Sequence, residues 1–397
     1  MRAVAAGPVP ALVDALAAEG LALARGHPRD DAHLLLAVTS GTGEEIAGQW
    51  FADPDRAAHV AAATRAALGP GTPAAARVRQ VGERVVLQPG GADRRLPTLA
   101  RLVAEPGASL VAHRPERRGV LRRAGAAGPV TFTKVVRPGR AAGAAATLAA
   151  VGRSTGLRVP RVLAAGPTTL VMSALPGRTL HDTLADPDPD PDPGPDPVTG
   201  ADAFRRVGTN VGAALRRFHA VPPAVVQHGG PQAGLHDAAA ELAVTRRWIA
   251  HAERFGVLPL PAAEVAATLD RAASALLTSS RPVLLHRDLH DKQLLLDRDG
   301  EVGILDLDLS APGDPALDLA NLLVHVELRA RQHHVTPQGA RACAEGILTG
   351  YGPSAAVRRS LPGYAHATRL RLLAVYAFRP TSTDAACRLL TDPWEFS

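Results

Sequence analysis

The sequence predicts an α+β protein in two parts, a strand-rich front half and a mostly helical rear half. Three observations carry this. Short alternating apolar runs recur before residue 180, and apolar residues at helical spacing dominate after residue 200. Between them lies DPDPDPDPGPDP (186–197), which can neither form a helix nor pair in a sheet, and which its own charges extend. A length of 397 residues, 46% of them hydrophobic, suits two or three domains with a sizeable core.

Taken in order, an Ala/Leu-rich helix is expected over 9–25, then apolar Leu34–Val38. A second helix opens at Asp53-Pro54, with Asp as N-cap and Pro in the first turn. Arg77–Val81 and Glu83–Leu87 alternate as strands around Gly82, followed by strands at Ser109–His113, Gly119–Arg123 and Val130–Val136. An Ala-rich helix follows over 140–153, then extended segments at 159–164 and 168–177. In the rear half, Phe204, Val207, Val211, Leu215 and Phe218 define a helix over 201–221. Further helices are expected over 235–254, 262–278, 315–333, 337–349 and 363–378. Set among them, Gln293–Leu296 and Val302–Leu307 are joined by Asp-Arg-Asp-Gly, which is good hairpin chemistry.

Composition excludes several roles. Aromatics are only 3%, which argues against stacking on single-stranded nucleic acid. The net charge of +6 is spread along the chain with no recognition motif, so no nucleic-acid partner is expected. Cys343 and Cys387 form no CxxC, and neither a disulfide framework nor a cysteine zinc site follows. The N-terminus lacks a signal-peptide core and no run of 18 uncharged apolar residues exists, so the expectation is a soluble cytoplasmic protein with no membrane partner. Of 44 basic residues only Lys134 and Lys292 are lysine. In so arginine-biased a chain, a retained lysine marks a place that requires a compact ammonium.

The rear hairpin carries the chemistry. Asp288 follows His286 and Arg287, Gln293 comes five residues later, and Asp306 closes the second strand. A loop Asp, an amide and a post-strand Asp form a phosphoryl-transfer arrangement. The first accepts a hydroxyl proton, and the other two supply hard oxygens for Mg2+ on nucleotide phosphates.

HRDLHDKQLLL…VGILDLDLSAPGDPALDLANLL resembles the aminoglycoside phosphotransferase and choline kinase superfamily, whose usual pattern is HGDLHxxN followed by a strand into IDxxxxxxGDPxxDLA. His286, Asp288, Leu289, His290, Asp306, Gly313, Asp314, Pro315, Asp318, Leu319 and Ala320 match it. The resemblance covers roughly residues 105–380 and implies a protein-kinase-like bilobal fold that uses ATP and Mg2+ to phosphorylate a hydroxyl of a small molecule. It divides the chain into an extra N-terminal α/β segment (1–104), an N-lobe (105–180), the acidic linker (181–200) and a helical C-lobe (201–397). It implies Asp288 as catalytic base, Gln293 and Asp306 as metal ligands and Lys134 on the phosphates. Backbone groups at Met172, Ser173 and Ala174 would meet adenine. His286, Asp314 and Asp318 read as residues that hold the loop and cap the helix after it. His290, Glu327 and Arg329 are candidates for the acceptor, with His325, Tyr364, Arg369 and Arg371 as further candidates to line its pocket.

The departures matter as well. Gln293 replaces the usual Asn and, with the extra N-terminal segment, is similar to the maltokinase and glucosamine kinase branch. The helix after Lys134 has no Glu to pair with it, and the phosphate-covering segment HRPERRG (113–119) is poor in glycine; its Arg114, Arg117 and Arg118 are candidates to hold phosphates instead, but read rather as exposed surface arginines. HRD is the protein-kinase form, but only 11 residues separate Asp306 from Asp318, with no DFG or APE, which disfavours a protein substrate. Between 281 and 329 ten acids face five Lys/Arg, which suits a polyhydroxylated or cationic acceptor: a sugar, an amino sugar or an aminoglycoside. The rival reading is a non-catalytic nucleotide-binding pseudokinase.

Overall fold

In the computed structural model the described residues are 7–124, 128–186, 200–225, 234–276 and 281–396. The first helix, α1 (Pro8–Ala17), buries Val9, Leu12 and Leu16 and stops eight residues short of expectation. Gly20 takes a left-handed φ of 69°, and Leu21 and Leu23 are then buried alternately, so period two replaces period 3.6.

Strands β1 (Leu21–Asp30), β2 (His33–Ser40) and β3 (Glu45–Phe51) form an antiparallel meander. Helix α2 (Pro54–Leu68) follows, its N-cap Asp53 accepting from Asp55 N as its sequence foretold. The short helix α3 (Pro73–Ala76), β4 (Arg79–Val81) and β5 (Val85–Leu87) complete a sheet of order β1-β2-β3-β5-β4. Residues 33–38 of β2 are all buried, because both faces of the sheet are covered. One face packs Phe51 and Val86 against Ala57 and Val60 of α2. The other joins the main core through Leu34, Leu36 and Trp50.

Helix α4 (Pro97–Val103) leads into a second sheet of order β6-β7-β8-β10-β9. Its strands are β6 (Ala108–Arg114), β7 (Arg118–Arg123), β8 (Thr131–Val136), β9 (Val162–Ala165) and β10 (Thr169–Ser173), with α5 (Ala141–Thr155) between β8 and β9. After β11 (Arg178–Thr179) and α6 (Leu180–Ala185), residues 187–199, most of the acidic run, fall outside the described residues.

The rear half is helical: α7 (Ala201–His219), α8 (Ala238–Arg254), α9 (Ala262–Ala275), α10 (Ala316–Arg331), α11 (Pro337–Tyr351), α12 (Ala355–Tyr376) and α13 (Thr383–Thr391). Residues 316–330 of α10 are buried on every side, which makes it the axis of this half. Helix α12 starts eight residues before the expected 363, because Ser354 caps it and Pro362 is carried inside. Helices α7 and α11 touch backbone to backbone. A Cβ on Gly208 would lie 2.1 Å from Cys343 O, and one on Gly350 would lie 2.0 Å from Thr209 O. Between α9 and α10 run β12 (Val283–Leu285), β13 (Leu294–Leu296), β14 (Val302–Ile304) and β15 (Ala311–Gly313). The pairs β12–β15 and β13–β14 hold the loop 286–293 and the segment 305–310 side by side. The molecule is thus an α+β, kinase-like bilobal protein with an extra N-terminal sheet. Among the described residues no helix is long and apolar enough to cross a membrane.

Candidate functional site

The loop carrying Asp288 is held by buried polar groups. Asp318, fully buried at the start of α10, accepts from His286 N (2.6 Å), Arg287 N (2.8 Å) and His219 Nε2 (3.1 Å). Burial pushes its carboxyl up, but the bonds and charge of His219, with His286, hold it below its ordinary value. His286 donates from Nε2 to Leu305 O (2.7 Å) and accepts at Nδ1 from Asp288 N (3.3 Å), tying one strand pair to the other. Asp314 accepts from Ala316 N at 2.9 Å and caps α10. Arg287 stands at φ 69° and Asp306 at φ 55°, left-handed values that are uncommon for side-chain-bearing residues and that gather at functional sites.

Across the lobes, Lys134 of β8 donates to Asp306 Oδ1 at 3.0 Å and also to Asp308. The partner that α5 does not provide therefore comes from the segment after β14. Arg118 of β7 joins them at 3.0 Å from Asp306 Oδ2, which corrects the expectation of an exposed surface group for that residue, while Arg114 and Arg117 are exposed as expected. Burial raises the Asp306 carboxyl, but Lys134 and Arg118 overcome it and keep the group ionised. The glycine-poor segment is braced instead by buried Asp93, which meets Glu116 N (2.7 Å) and His113 Nε2 (3.0 Å).

Gln293 contacts His290 Nε2 through its amide nitrogen at 3.4 Å, while its side-chain oxygen accepts no hydrogen bond among the described residues. A carboxylate kept ionised and an uncommitted amide oxygen fit a hard cation such as Mg2+. Met172, Ser173 and Ala174 lie at the end of β10 and just after it. Ser173 N donates to Arg161 O (2.9 Å) and Ala174 N to Val130 O (3.2 Å), so these two amides are already engaged. Ser173 and Ala174 line a cavity of about 690 Å³ that also borders α5 and is not lined by Asp288, Lys134 or Asp306.

A second cavity, about 640 Å³, opens in front of Asp288. His290, His325, Arg329 and Arg371 line it; Glu327, Tyr364 and Arg369 do not. Glu327 is fully buried, bound by Arg369 Nη2 (2.8 Å) and Trp394 N (2.9 Å). That removes it, with Arg369, from contact with an acceptor in this cavity. Arg329 reaches the wall but clamps Asp291, bonding it at 2.7 and 3.1 Å. Burial lowers the His290 and His325 imidazoles, so both present neutral rings, 5.2 Å apart, beside Asp288's loop. The sequence reading missed Asp308, whose only signal is its place two residues after Asp306. It also missed Asp291, which nothing in the sequence distinguishes from a loop acid. The N-terminal sheet contributes a wall through Arg25, His27 and Leu35.

Fold and site together define a small-molecule kinase. The family model described as "phosphotransferase enzyme family" matches residues 116–364, and the chain belongs to that family. Among solved structures it is similar to a glucosamine kinase, at 19% identity over 94% of each chain with a TM-score of 0.50. It is similar also to an aminoglycoside phosphotransferase of Streptomyces rimosus ATCC10970, at 22% identity, covering 68% of this chain and 94% of that one (TM-score 0.45). A macrolide 2'-phosphotransferase of Brachybacterium faecium matches at 20% identity, over 76% of this chain and 99% of its own (TM-score 0.46). Comparison with curated proteins finds no match.

Proposed function

We propose that the protein transfers the γ-phosphate of ATP to a hydroxyl of a small molecule in the cytoplasm. The observation that supports this most is the meeting of Lys134 and Asp306, 172 residues apart, at 3.0 Å beside the loop that carries Asp288. In this reading Asp288 accepts the proton as the acceptor oxygen forms a bond to the γ-phosphorus. The bond from that phosphorus to the β-phosphate oxygen breaks, and ADP leaves with the electron pair. Lys134 orients the phosphates from the N-lobe. Asp306 and Gln293 would hold Mg2+, which neutralises phosphate charge during transfer. His286 and Asp318 keep the loop in place and touch no reacting atom.

A non-catalytic role would rest on the missing glutamate of α5 and on the glycine-poor segment 113–119. Asp308 meets Lys134 in the glutamate's stead, which removes the first ground. The acceptor carried over from the resemblance is a sugar, an amino sugar or an aminoglycoside. The test is transfer of labelled γ-phosphate from ATP to pooled sugars, amino sugars and aminoglycosides, with Asp288→Asn alongside. Loss of about 10²–10⁴-fold in turnover with nucleotide affinity kept is expected for a lost general base. A variant as active as the parent would overturn the role of Asp288, and failure to bind ATP would overturn the whole reading.

A further inference from the structure

The cavity in front of Asp288 is cationic, although its sequence neighbourhood is acidic. Seven arginines line it. Four are neutralised locally: Arg25 by Glu45, Arg118 by Asp306, Arg329 by Asp291 and Arg371 by Glu241. Arg114, Arg287 and Arg379 have no carboxylate within ion-pair distance among the described residues, and neither has Lys292. Arg287 feels Glu241 and Asp318 from a distance, and Arg114 feels Asp288 and Asp306. Arg379 has no such offset nearby. It lies over the Tyr376 ring at 4.2 Å, with Arg25 and Arg329 as its charged neighbours. Only two acids line the cavity, and Glu241 is tied to His236 at 2.9 Å as well as to Arg371. That leaves Asp288 as the one lining carboxylate without an ion-pair partner. His27 also lines the cavity. Burial first, then Arg114, Arg117, Arg29 and Arg379, hold its imidazole down to about 3.

We propose that the acceptor is a hydroxyl compound already bearing a negative charge, a carboxylate or a phosphate ester, seated with its anion toward Arg379 and its hydroxyl toward Asp288. The inference rests on the reading of this site as the acceptor side of a phosphotransferase, and names its substrate class. An amine-bearing acceptor would meet like charge on the Arg379 side, where no carboxylate is free to receive it. The neutral His27 adds a hydrogen-bonding group without adding repulsion to an anion.

The test uses the full chain and four probes on one ring: D-glucuronate, glucose 6-phosphate, D-glucose and D-glucosamine. Their dissociation constants are measured by titration calorimetry at low and moderate salt. At least one anion is expected to bind tenfold or more tighter than glucosamine, with a preference that weakens as salt rises and falls at least fivefold in Arg379→Gln. The two anions separate carboxylate from phosphate recognition. Glucosamine binding as well as or better than both anions, or no anion binding at all, overturns the proposal. Phosphoryl transfer assayed on the same probes keeps the two readings apart. Transfer to glucosamine without anion preference sinks the charge argument and leaves the kinase standing. Anion binding without transfer to either anion overturns the claim that the bound anion is the acceptor, and leaves the kinase reading to the pooled assay.

Discussion

At the scale of single residues, backbone conformation explains one departure from the family pattern. The family's usual glycine in HGD is here Arg287, which stands at φ 69°. Glycine adopts that conformation freely, while other residues incur strain of about 1–2 kcal/mol. Arg287→Gly should therefore be about 1 kcal/mol more stable than Arg287→Ala by urea unfolding, since both lose the same side-chain contacts and differ in the left-handed backbone. Equal stabilities would show that the position carries no strain. A second prediction concerns His27, whose folded-state value near 3 lies below its ordinary 6.5. Below pH 6.5 the unfolded chain takes up a proton that the folded chain refuses, so stability falls as pH drops from 6.5 toward 3. The slope is at most about 1.4 kcal/mol per pH unit for each such histidine. His27→Gln should lose less stability between pH 7 and pH 5 than the parent, read from urea midpoints. At this scale the sequence was most legible where the pattern is contiguous, as in the hairpin that begins after Gln293 and ends before Asp306. It was least legible where charge is settled by distant partners. Asp291 and Glu327 count as acids in any tally of residues 281–329, yet Arg329 and Arg369 neutralise them inside the protein, and Asp297 is paired with Arg158 nearer the surface.

At the scale of elements, the contact of α7 with α11 is legible in the spacing of glycines. Gly208 and Gly212 stand four apart on one helix, Gly346 and Gly350 four apart on the other, so each pair lines a single face. In the structure a Cβ on Gly212 would lie 2.2 Å from Ile347 O, and one on Gly346 would lie 2.1 Å from Arg205 O. Backbone atoms cannot rotate aside as a side chain can. Gly350→Ala should therefore cost about 1–3 kcal/mol of stability by overpacking, despite the better helix propensity of alanine. A neutral or stabilising result in thermal melting would mean the helices part more easily than their contact indicates. The opposite lesson comes from α1 and α12. In α1 an Ala/Leu-rich stretch gives helical and strand spacing alike until Gly20 breaks it. In α12 Pro362, which precedes the expected start at 363, is the eighth residue of the helix.

At the scale of the whole molecule, the N-terminal sheet and the helical half share one core. Trp50 meets Phe255 edge to face at 5.8 Å, Phe255 meets Phe378 at 5.8 Å, and His27 meets Trp248 at 5.0 Å. Trp50→Ala should cost about 3–5 kcal/mol and lower the melting of both halves together. The expected signature is one transition, superimposable by fluorescence and far-ultraviolet circular dichroism. Two separated transitions, with only the first moved by the substitution, would show that the sheet is an independent unit. This joint was invisible in the sequence, because residues 1–104 carry no motif and their partners lie more than 200 residues downstream.

The hydrogen bond from Gly26 N to Phe378 O, 2.8 Å long, has a consequence for the order of synthesis. At roughly 5–20 residues per second, the first strand waits on the order of half a minute on the ribosome before its partner is made. Until then its buried row, Leu21 and Leu23 with β2 behind them, has only α1 and its own sheet for cover. A nascent chain stalled before residue 378 would present an unfinished apolar face to chaperones, and a message truncated near its 3' end should yield an aggregate rather than a weakened enzyme.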